Sequence, residues 1–132
     1  MIILDTSAVM ALAGGHKTLN LLAGNMAKTP SERLSIPALC LTQAEAGEEN
    51  VSQRVLAFSS VVVDSLDTMA AVSVGTMIRD GYGDPDTCHA LYCALPRPEF
   101  TGMSILLTGD EDAYPLGVVT VDIDSPGMLG FH

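Results

Sequence analysis

Residues 1–13 read MIILDTSAVMALA, and this stretch indicates how the rest of the chain folds. The apolar run Ile2–Leu4, which polar residues follow, is typical of a short strand buried on both faces. The residues after Ser7 favour a helix, and Thr6 or Ser7 can cap that helix by accepting from its first free N–H groups. Asp5 therefore falls where a core strand ends and a helix begins.

Asp5 has two interpretations at this position. In an open parallel sheet, ligands bind at the carboxyl edge of the strands, where the predicted strand delivers Asp5. A carboxylate there is costly unless something cationic holds it. The alternative is that Asp5 only caps the first helix. The stretch itself leaves both interpretations open.

The chain of 132 residues has the size of a single domain, residues 1–132, with enough apolar surface for its own core. Its three cysteines, Cys40, Cys88 and Cys93, form no CxxC pair, which is typical of a reducing compartment without disulfides. The sequence has no basic leader and no apolar run of roughly 18 residues. We therefore expect a cytoplasmic protein that does not enter the membrane.

The net charge is −10, from six Lys and Arg against sixteen Asp and Glu. This balance argues against broad binding of phosphate backbones, which relies on a basic surface. It suits a protein that gathers carboxylates around metal ions, since the ions reverse the local field. Most acidic proteins are simply soluble, so the charge by itself decides little.

Apolar segments and helical patterns alternate along the whole chain. After the first strand, further strands are predicted at residues 34–39, 59–63, 104–108 and 118–121. Helical patterns fall at residues 17–28, 41–46, 51–58 and 65–78 and after Pro85, a loop is predicted at residues 96–102, and residues 122–132 form an edge or a tail. This alternation predicts an α/β fold, a three-layer α/β/α sandwich with a mainly parallel central sheet of four or five strands.

Asp110 follows the fourth predicted strand as Asp5 follows the first, and Gly109 lets the backbone turn closely beside it. If these two strands are neighbours in the sheet, their trailing acids converge on one crevice. Several charged carboxylates cannot lie close together without cations. Oxygen ligands favour Mg²⁺ or Mn²⁺, and no His/Cys constellation argues for zinc. Such a cluster can bind one or two ions, activate water and neutralise charge that builds on a phosphate.

Two further acids lie near the starts of predicted helices. Glu45 has Ala44 and Ala46 as neighbours shortly after the second strand, which makes it a candidate for an inward-facing carboxylate. Its alternative is a place in a solvated acidic run. Asp86 lies in the first turn of a helix that Asp84 caps. The alternative for Asp86 is a surface position that complements the helix dipole.

Four motifs follow one another over nearly the whole chain. They are Asp5-Thr6-Ser7 after the first strand, Glu45 after the second, Asp86-Thr87-Cys88-His89-Ala90 on a late helix, and Thr108-Gly109-Asp110 after the fourth strand. In this order they resemble the PIN domain family, and most closely the short single-domain VapC-like toxins of bacterial toxin–antitoxin pairs. Members of that family are Mg²⁺- or Mn²⁺-dependent ribonucleases that cut phosphodiester bonds through an acidic quartet.

The resemblance implies a role for each matching residue. The catalytic acids and metal ligands would be Asp5, Glu45, Asp86 and Asp110. Thr108 matches a hydroxyl residue before the last acid, and Ser7 matches a small polar position beside the first acid. The resemblance also implies an RNA substrate, a homodimer, and an antitoxin protein that blocks the site, often by inserting a basic side chain.

Two other functions stay open beside the leading one, a metal-dependent endoribonuclease. The scarcity of basic residues fits a PIN-like binding module without catalysis. An acidic pocket on a parallel sheet also fits a receiver-like signalling domain, which needs a phosphoacceptor Asp at the end of a central strand and a Lys after the last strand. Asp64 is the candidate for the first role, but no Lys follows Lys28.

Overall fold

The computed structural model describes residues 1–96 and 102–131, so most of the loop predicted at residues 96–102 lies outside the described residues. In this part of the chain, five strands, β1 to β5, comprise Ile2–Leu4, Leu34–Pro37, Val61–Asp64, Ile105–Thr108 and Thr120–Asp122. Six α-helices, α1 to α6, comprise Thr6–Ala13, Lys17–Met26, Ala38–Gly47, Val51–Val55, Thr68–Arg79 and Pro85–Ala94. Short 3₁₀ helices span Glu111–Ala113 and Pro126–Phe131.

The described strands form one parallel sheet in the order β3-β2-β1-β4-β5. β1 lies at the centre, and its Ile3 and Leu4 are fully buried. The helices pack on the sheet to complete a three-layer α/β/α sandwich, because strands buried on both faces need cover on both faces. This arrangement confirms the predicted fold class, with β1 and β4 as direct neighbours.

The position of β3 bears on the receiver-like alternative. β3 is an edge strand, and its last residue is Asp64. A receiver-like domain needs its phosphoacceptor at the end of a central strand, whereas Asp64 ends the outermost strand on its side of the sheet. The topology gives this alternative no support.

The cap of α1 agrees with the second interpretation of Asp5, and the expected cap at Thr6 or Ser7 is wrong. Asp5, and not Thr6 or Ser7, is the capping residue, because its extended backbone lets Oδ1 accept from the Ala8 N–H at 3.0 Å. Thr6 and Ser7 instead form the first turn of α1. Their hydroxyl groups therefore do not cap α1 and can form hydrogen bonds with other residues.

The start of α5 differs from the prediction. Asp67 is the capping residue, and its Oδ1 accepts from the Ala70 N–H at 2.9 Å. The helical pattern predicted from residue 65 therefore begins only at Thr68, because β3 extends through Asp64. At α6, Asp84 occupies the cap position, as predicted.

Two element boundaries are also shifted. The second strand, predicted to residue 39, ends at Pro37, where α3 begins at once. Proline at this point lacks an N–H and holds φ at −59°, which suits the residue before a helix. The predicted edge or tail after residue 122 contains the 3₁₀ helix at residues 126–131, and its Met128 is buried in the core.

The three cysteines lie in the interior of the fold. Cys40, Cys88 and Cys93 are all buried, and none of them takes part in a disulfide among the described residues. No helix within residues 1–96 and 102–131 is long and apolar enough to cross a membrane.

Candidate functional site

The ends of β1 and β4 bring two of the predicted site residues together. Leu4 of β1 lies opposite Leu107 of β4 in the parallel register, so Asp5 and Thr108 follow at the same edge of the sheet. The Asp5 N–H donates to the Leu107 carbonyl at 3.3 Å, and the Thr108 hydroxyl donates to Asp5 Oδ2 at 2.5 Å. The condition for the expected convergence, that β1 and β4 are neighbours, is therefore met.

Asp5 is buried, with 6% of its surface exposed, and its carboxylate is held entirely by neutral donors. Oδ1 accepts from the Ala8 N–H at 3.0 Å and from the Ser7 hydroxyl at 2.6 Å. Oδ2 accepts from the hydroxyls of Thr108, at 2.5 Å, and Tyr114, at 2.7 Å. Because a carboxylate offers about four lone-pair positions, these donors fill it. Asp5 is thus both a helix cap and the centre of a polar network.

Asp86 accepts a hydrogen bond from Thr6, the residue that follows Asp5 in the chain. The Thr6 hydroxyl donates to Asp86 Oδ2 at 2.6 Å, which fixes the first turn of α6 against the first turn of α1. Cys40 lies beside both acids, and its thiol donates to the Asp86 carbonyl at 3.3 Å. Burial raises the pKa of the Cys40 thiol to about 12, and the charges of Asp5 and Asp86 add to that rise. The thiol therefore stays protonated and does not act as a nucleophile.

Asp110 lies one residue beyond Thr108 and is tied to the same hydroxyl. Its N–H donates to Thr108 Oγ1 at 2.9 Å, while the Gly109 N–H donates to the Ser7 hydroxyl at 2.8 Å. Thr108 thus accepts from the Asp110 backbone and donates to Asp5. The Asp110 side chain is exposed at this edge, and no hydrogen bond to its carboxylate occurs within the described ranges.

Glu45 has a different set of contacts. It is exposed on α3, and its carboxylate accepts from the backbone N–H groups of Asn50, at 3.1 Å, and Ser52, at 2.9 Å. These groups lie at the start of α4, where Asn50 provides no side-chain cap, so Glu45 supplies the acceptors that the helix lacks. The hydrogen bond from the Ser52 backbone is the main reason that the pKa of Glu45 is lowered.

The structure therefore brings three of the four predicted acids to one edge of the sheet and engages the fourth elsewhere. Asp5 is linked to Asp86 through Thr6 and to the Asp110 backbone through Thr108. Glu45 would have to leave the start of α4 to join them, so its role as a ligand stays a prediction.

Sequence reasoning missed Thr6 and Tyr114 as members of the site. Thr6 was named as a possible cap and as part of the motif after β1, and Tyr114 was given no part in the site. The available signal was the amphipathic character of tyrosine, whose hydroxyl usually finds a partner when the ring is buried. Burial, and then the charge of Asp5, raise the pKa of Tyr114 above its ordinary value of 10, so its hydroxyl remains a donor.

His89 is a buried residue that connects α6 to the start of α3. The ring is fully buried on α6, and its Nδ1 accepts from the Leu39 N–H at 3.2 Å. This hydrogen bond assigns the tautomer with the proton on Nε2. His89 thus holds the first turns of α6 against the start of α3, and so fixes the helix that carries Asp86.

No ion pair among the described residues includes the carboxylate of Asp5, Asp86 or Asp110. Over residues 1–96 and 102–131, the ion pairs of the structure join His16 to Asp124 at 2.8 Å and Arg54 to Glu48 at 3.8 Å. In this part of the chain, neutral hydrogen-bond donors stabilise the charge of Asp5. An edge of this kind favours a bound cation.

The donor set fits Mg²⁺ or Mn²⁺ in chemical kind, because every candidate ligand is a carboxylate or hydroxyl oxygen. In the part of the chain that the structure describes, no three His, Cys, Asp or Glu side chains form a group that could hold an ion. Mg²⁺ usually keeps several waters and takes only one or two protein carboxylates, so a complete cage is not required. Of the candidate acids, Asp110 has an exposed carboxylate, whereas Asp5 and Asp86 already accept hydrogen bonds from hydroxyl groups.

Comparison with known proteins adds no assignment. No family model and no curated protein matches this sequence. The residues of the site, together with the ordered motifs of the sequence, therefore carry the functional proposal. These residues form an oxygen-rich, negatively charged edge that surrounds one buried carboxylate.

Proposed function

We propose that this chain is a metal-dependent endoribonuclease of the PIN type, which hydrolyses RNA phosphodiester bonds with Mg²⁺ or Mn²⁺ as cofactor. The observation that supports this most is the pair of threonine links around Asp5. Thr6 connects α1 to the carboxylate of Asp86, and Thr108 connects Asp5 to the backbone of Asp110. Distant acids are thus held at the edge where parallel sheets bind ligands.

In this proposal Asp5, Asp86 and Asp110 hold the cofactor, with Glu45 as a fourth ligand on the strength of the resemblance alone. When bound, the ion would polarise a phosphate and lower the pKa of a water molecule. The chain itself contributes position. Thr108 orients Asp5 and the turn that carries Asp110 through a single hydroxyl.

Ser7 has the same double role on the other oxygen of Asp5. Its hydroxyl donates to Asp5 Oδ1 at 2.6 Å and accepts from the Gly109 N–H at 2.8 Å. The first turn of α1 is thereby linked to the segment that follows β4. Because orientation is a large part of catalysis, both hydroxyl residues are proposed as positioning residues.

The biological setting follows from the resemblance and is part of the same proposal. It comprises a toxin of a type II toxin–antitoxin pair, a homodimer, an antitoxin that blocks the site, and a cytoplasmic location. The net charge of −10 repels RNA phosphates, so an antitoxin with basic side chains would find a complementary surface. For the same reason, RNA binding would depend on the cation.

The experiment that tests the function is cleavage of structured RNAs with Mg²⁺ or Mn²⁺ by the wild-type chain, Asp5→Asn and Asp110→Asn. We expect each substitution to lower the cleavage rate by about 100-fold or more, because it removes a charged ligand of the ion. Glu32→Gln is the matched control, since Glu32 is exposed and precedes β2, at the opposite edge of the sheet. Equal rates in all four proteins would remove the proposed role of the acids.

One observation favours a second candidate, a PIN-like binding module without catalysis. The acceptor positions of Asp5 are filled by neutral donors, and Glu45 is engaged with α4. A site that needs no cation for its stability need not bind one. This candidate has negligible metal affinity, and its partner binding survives removal of the acids.

A further inference from the structure

Tyr114 links the segment after β4 to the buried carboxylate at the end of β1. It follows the 3₁₀ helix Glu111–Ala113, and its N–H donates to the Glu111 carbonyl at 3.2 Å. Its ring packs against the hydrophobic core, and its hydroxyl donates to Asp5 Oδ2 at 2.7 Å. The side chain therefore reaches Asp5 from the same segment that carries Asp110.

The donors around Asp5 differ in what else they do. The Ala8 N–H belongs to the capping interaction of α1, and the Ser7 hydroxyl also accepts from Gly109. The Thr108 hydroxyl also accepts from the Asp110 N–H, so its removal disturbs the end of β4. For the Tyr114 hydroxyl, the structure gives only the hydrogen bond to Asp5. It is the donor whose loss disturbs the fold least.

We propose that the Tyr114 hydroxyl occupies the position on Asp5 Oδ2 that a divalent ion takes, so that metal binding requires its release. This inference rests on the proposed function, because it concerns the same metal site. It makes Tyr114 a positioning residue that opposes metal binding in the resting site. It also explains how Asp5 is stable without a cation and still serves as a ligand.

The release of Tyr114 has a consequence for Asp110. Both residues lie in the short segment that follows β4, and the 3₁₀ helix at residues 111–113 joins them. Metal binding at Asp5 therefore breaks the hydrogen bond by which Tyr114 connects this segment to the end of β1. Asp110, which is exposed, is then free to turn towards the ion.

The test is calorimetric titration of Mn²⁺ into the full chain as wild type, Tyr114→Phe, Tyr82→Phe and Asp5→Asn. Phenylalanine keeps the ring and removes only the competing hydrogen bond to a charged group, so we expect Tyr114→Phe to bind Mn²⁺ about tenfold more tightly or better. Tyr82→Phe is the matched control, because Tyr82 is a half-exposed tyrosine beyond α5, and its affinity should equal that of the wild type. Asp5→Asn should bind far more weakly.

The outcomes separate this inference from the proposed function. If Tyr114→Phe and the wild type bound Mn²⁺ equally tightly, and Asp5→Asn bound it more weakly than both, the role of Tyr114 would be overturned. The proposed metal site would not be contradicted by that result. Weaker binding by Tyr114→Phe would likewise overturn the role of Tyr114, because a merely structural tyrosine gives that result. Absence of Mn²⁺ binding in every variant would overturn both the inference and the metal-dependent nuclease.

Tyrosine fluorescence is a second readout, and it does not require a variant at position 114. The chain has three tyrosines and no tryptophan, so its intrinsic fluorescence comes from tyrosine. Release of the Tyr114 hydroxyl from a carboxylate changes its emission, and we expect Mg²⁺ to produce that change in the wild type and in Tyr82→Phe. Mg²⁺ binding without any change in emission in either protein would contradict the release of Tyr114.

Discussion

Asp5 both caps α1 and lies at the centre of a network of hydrogen bonds from neutral donors. Its Oδ1 caps α1 through the Ala8 N–H, and its Oδ2 faces the hydroxyls of Thr108 and Tyr114. A buried carboxylate of this kind is stable because each of its acceptor positions has a donor, which replaces the hydration that it loses. A single side chain thus joins the start of a helix to the centre of the candidate site.

The first prediction at the residue scale concerns Thr108, which is fully buried. Thr108→Val keeps the shape of the side chain but removes a donor to Asp5 and the acceptor of the Asp110 N–H. We expect the free energy of unfolding to fall by about 1–3 kcal/mol, because buried polar groups lose their partner. Denaturant unfolding followed by circular dichroism measures this loss.

The matched control for that variant is Thr42→Val. The Thr42 hydroxyl is exposed on α3 and donates only to the Ala38 carbonyl one turn earlier, at 3.0 Å. Substitutions at such positions usually change stability by less than about 0.5 kcal/mol. If the two variants lost the same stability, the Thr108 hydroxyl would have no special part in the network.

At the scale of elements, α4 depends on a residue from the preceding helix. Its cap position is Asn50, which has a left-handed backbone with φ of 67° and makes no capping hydrogen bond. The carboxylate of Glu45 accepts from the first N–H groups instead and complements the positive end of the helix. A side chain of α3 thus stabilises the start of α4.

This contact makes a prediction about pH. The pKa of Glu45 is lowered in the folded chain, first by the Ser52 backbone hydrogen bond, so its stabilising effect is present above the ordinary value of 4.5 and is lost as the pH falls through the lower folded value. Glu45→Gln should therefore be less stable than the wild type at neutral pH. The difference between the two proteins should disappear in acid.

Urea unfolding of wild type and Glu45→Gln at neutral and acidic pH measures this effect. Glu49→Gln serves as the control, because Glu49 is exposed in the same acidic run and its carboxylate makes no hydrogen bond among the described residues. A pH-independent difference would mean that the charge of Glu45 does not support α4. A large loss of Mn²⁺ affinity in Glu45→Gln would favour its role as a ligand instead.

At the scale of the whole molecule, the parallel sheet determines which residues lie around Asp5. β1 and β4 are neighbours, so the residues that follow them lie at one edge, although more than a hundred positions separate Asp5 from Thr108 and Tyr114. Helix α6 then delivers Asp86 to the same edge, because His89 fixes it against α3. The site is therefore a product of topology and not of any local segment.

A prediction at this scale separates the nuclease from the binding module. If the edge of the sheet binds Mn²⁺ in the native state only, millimolar Mn²⁺ should raise the melting temperature of the wild-type chain. Asp110→Asn should reduce the rise, since Asp110 has an exposed carboxylate and removing its charge leaves the network around Asp5 in place. Melting curves that coincide with and without Mn²⁺ would favour the binding module.

Much of this arrangement could be predicted from the sequence. Two buried apolar runs, each followed closely by an acid, predict Asp5 and Asp110 at the carboxyl edge of a parallel sheet. That β1 and β4 are direct neighbours was a condition of the prediction, and the structure supplies it. The contacts of Tyr114 and Glu45 could not be predicted, because the direction of a side chain depends on packing across the fold. Tyr114 and Asp5 are 109 positions apart, and no local pattern encodes their hydrogen bond.

Asp5 both caps α1 and accepts the hydrogen bonds of the buried network, and this has an evolutionary consequence. A lineage that replaced Asp5 would lose a helix cap and a buried network together with any chemistry, so selection for folding alone preserves this residue. Replacement of the Asp110 side chain would remove neither a helix cap nor a hydrogen bond of the network, since only its backbone takes part. Related proteins that have lost catalysis should therefore change first at position 110. An aspartate retained at position 5 shows that the fold needs it and does not by itself indicate activity.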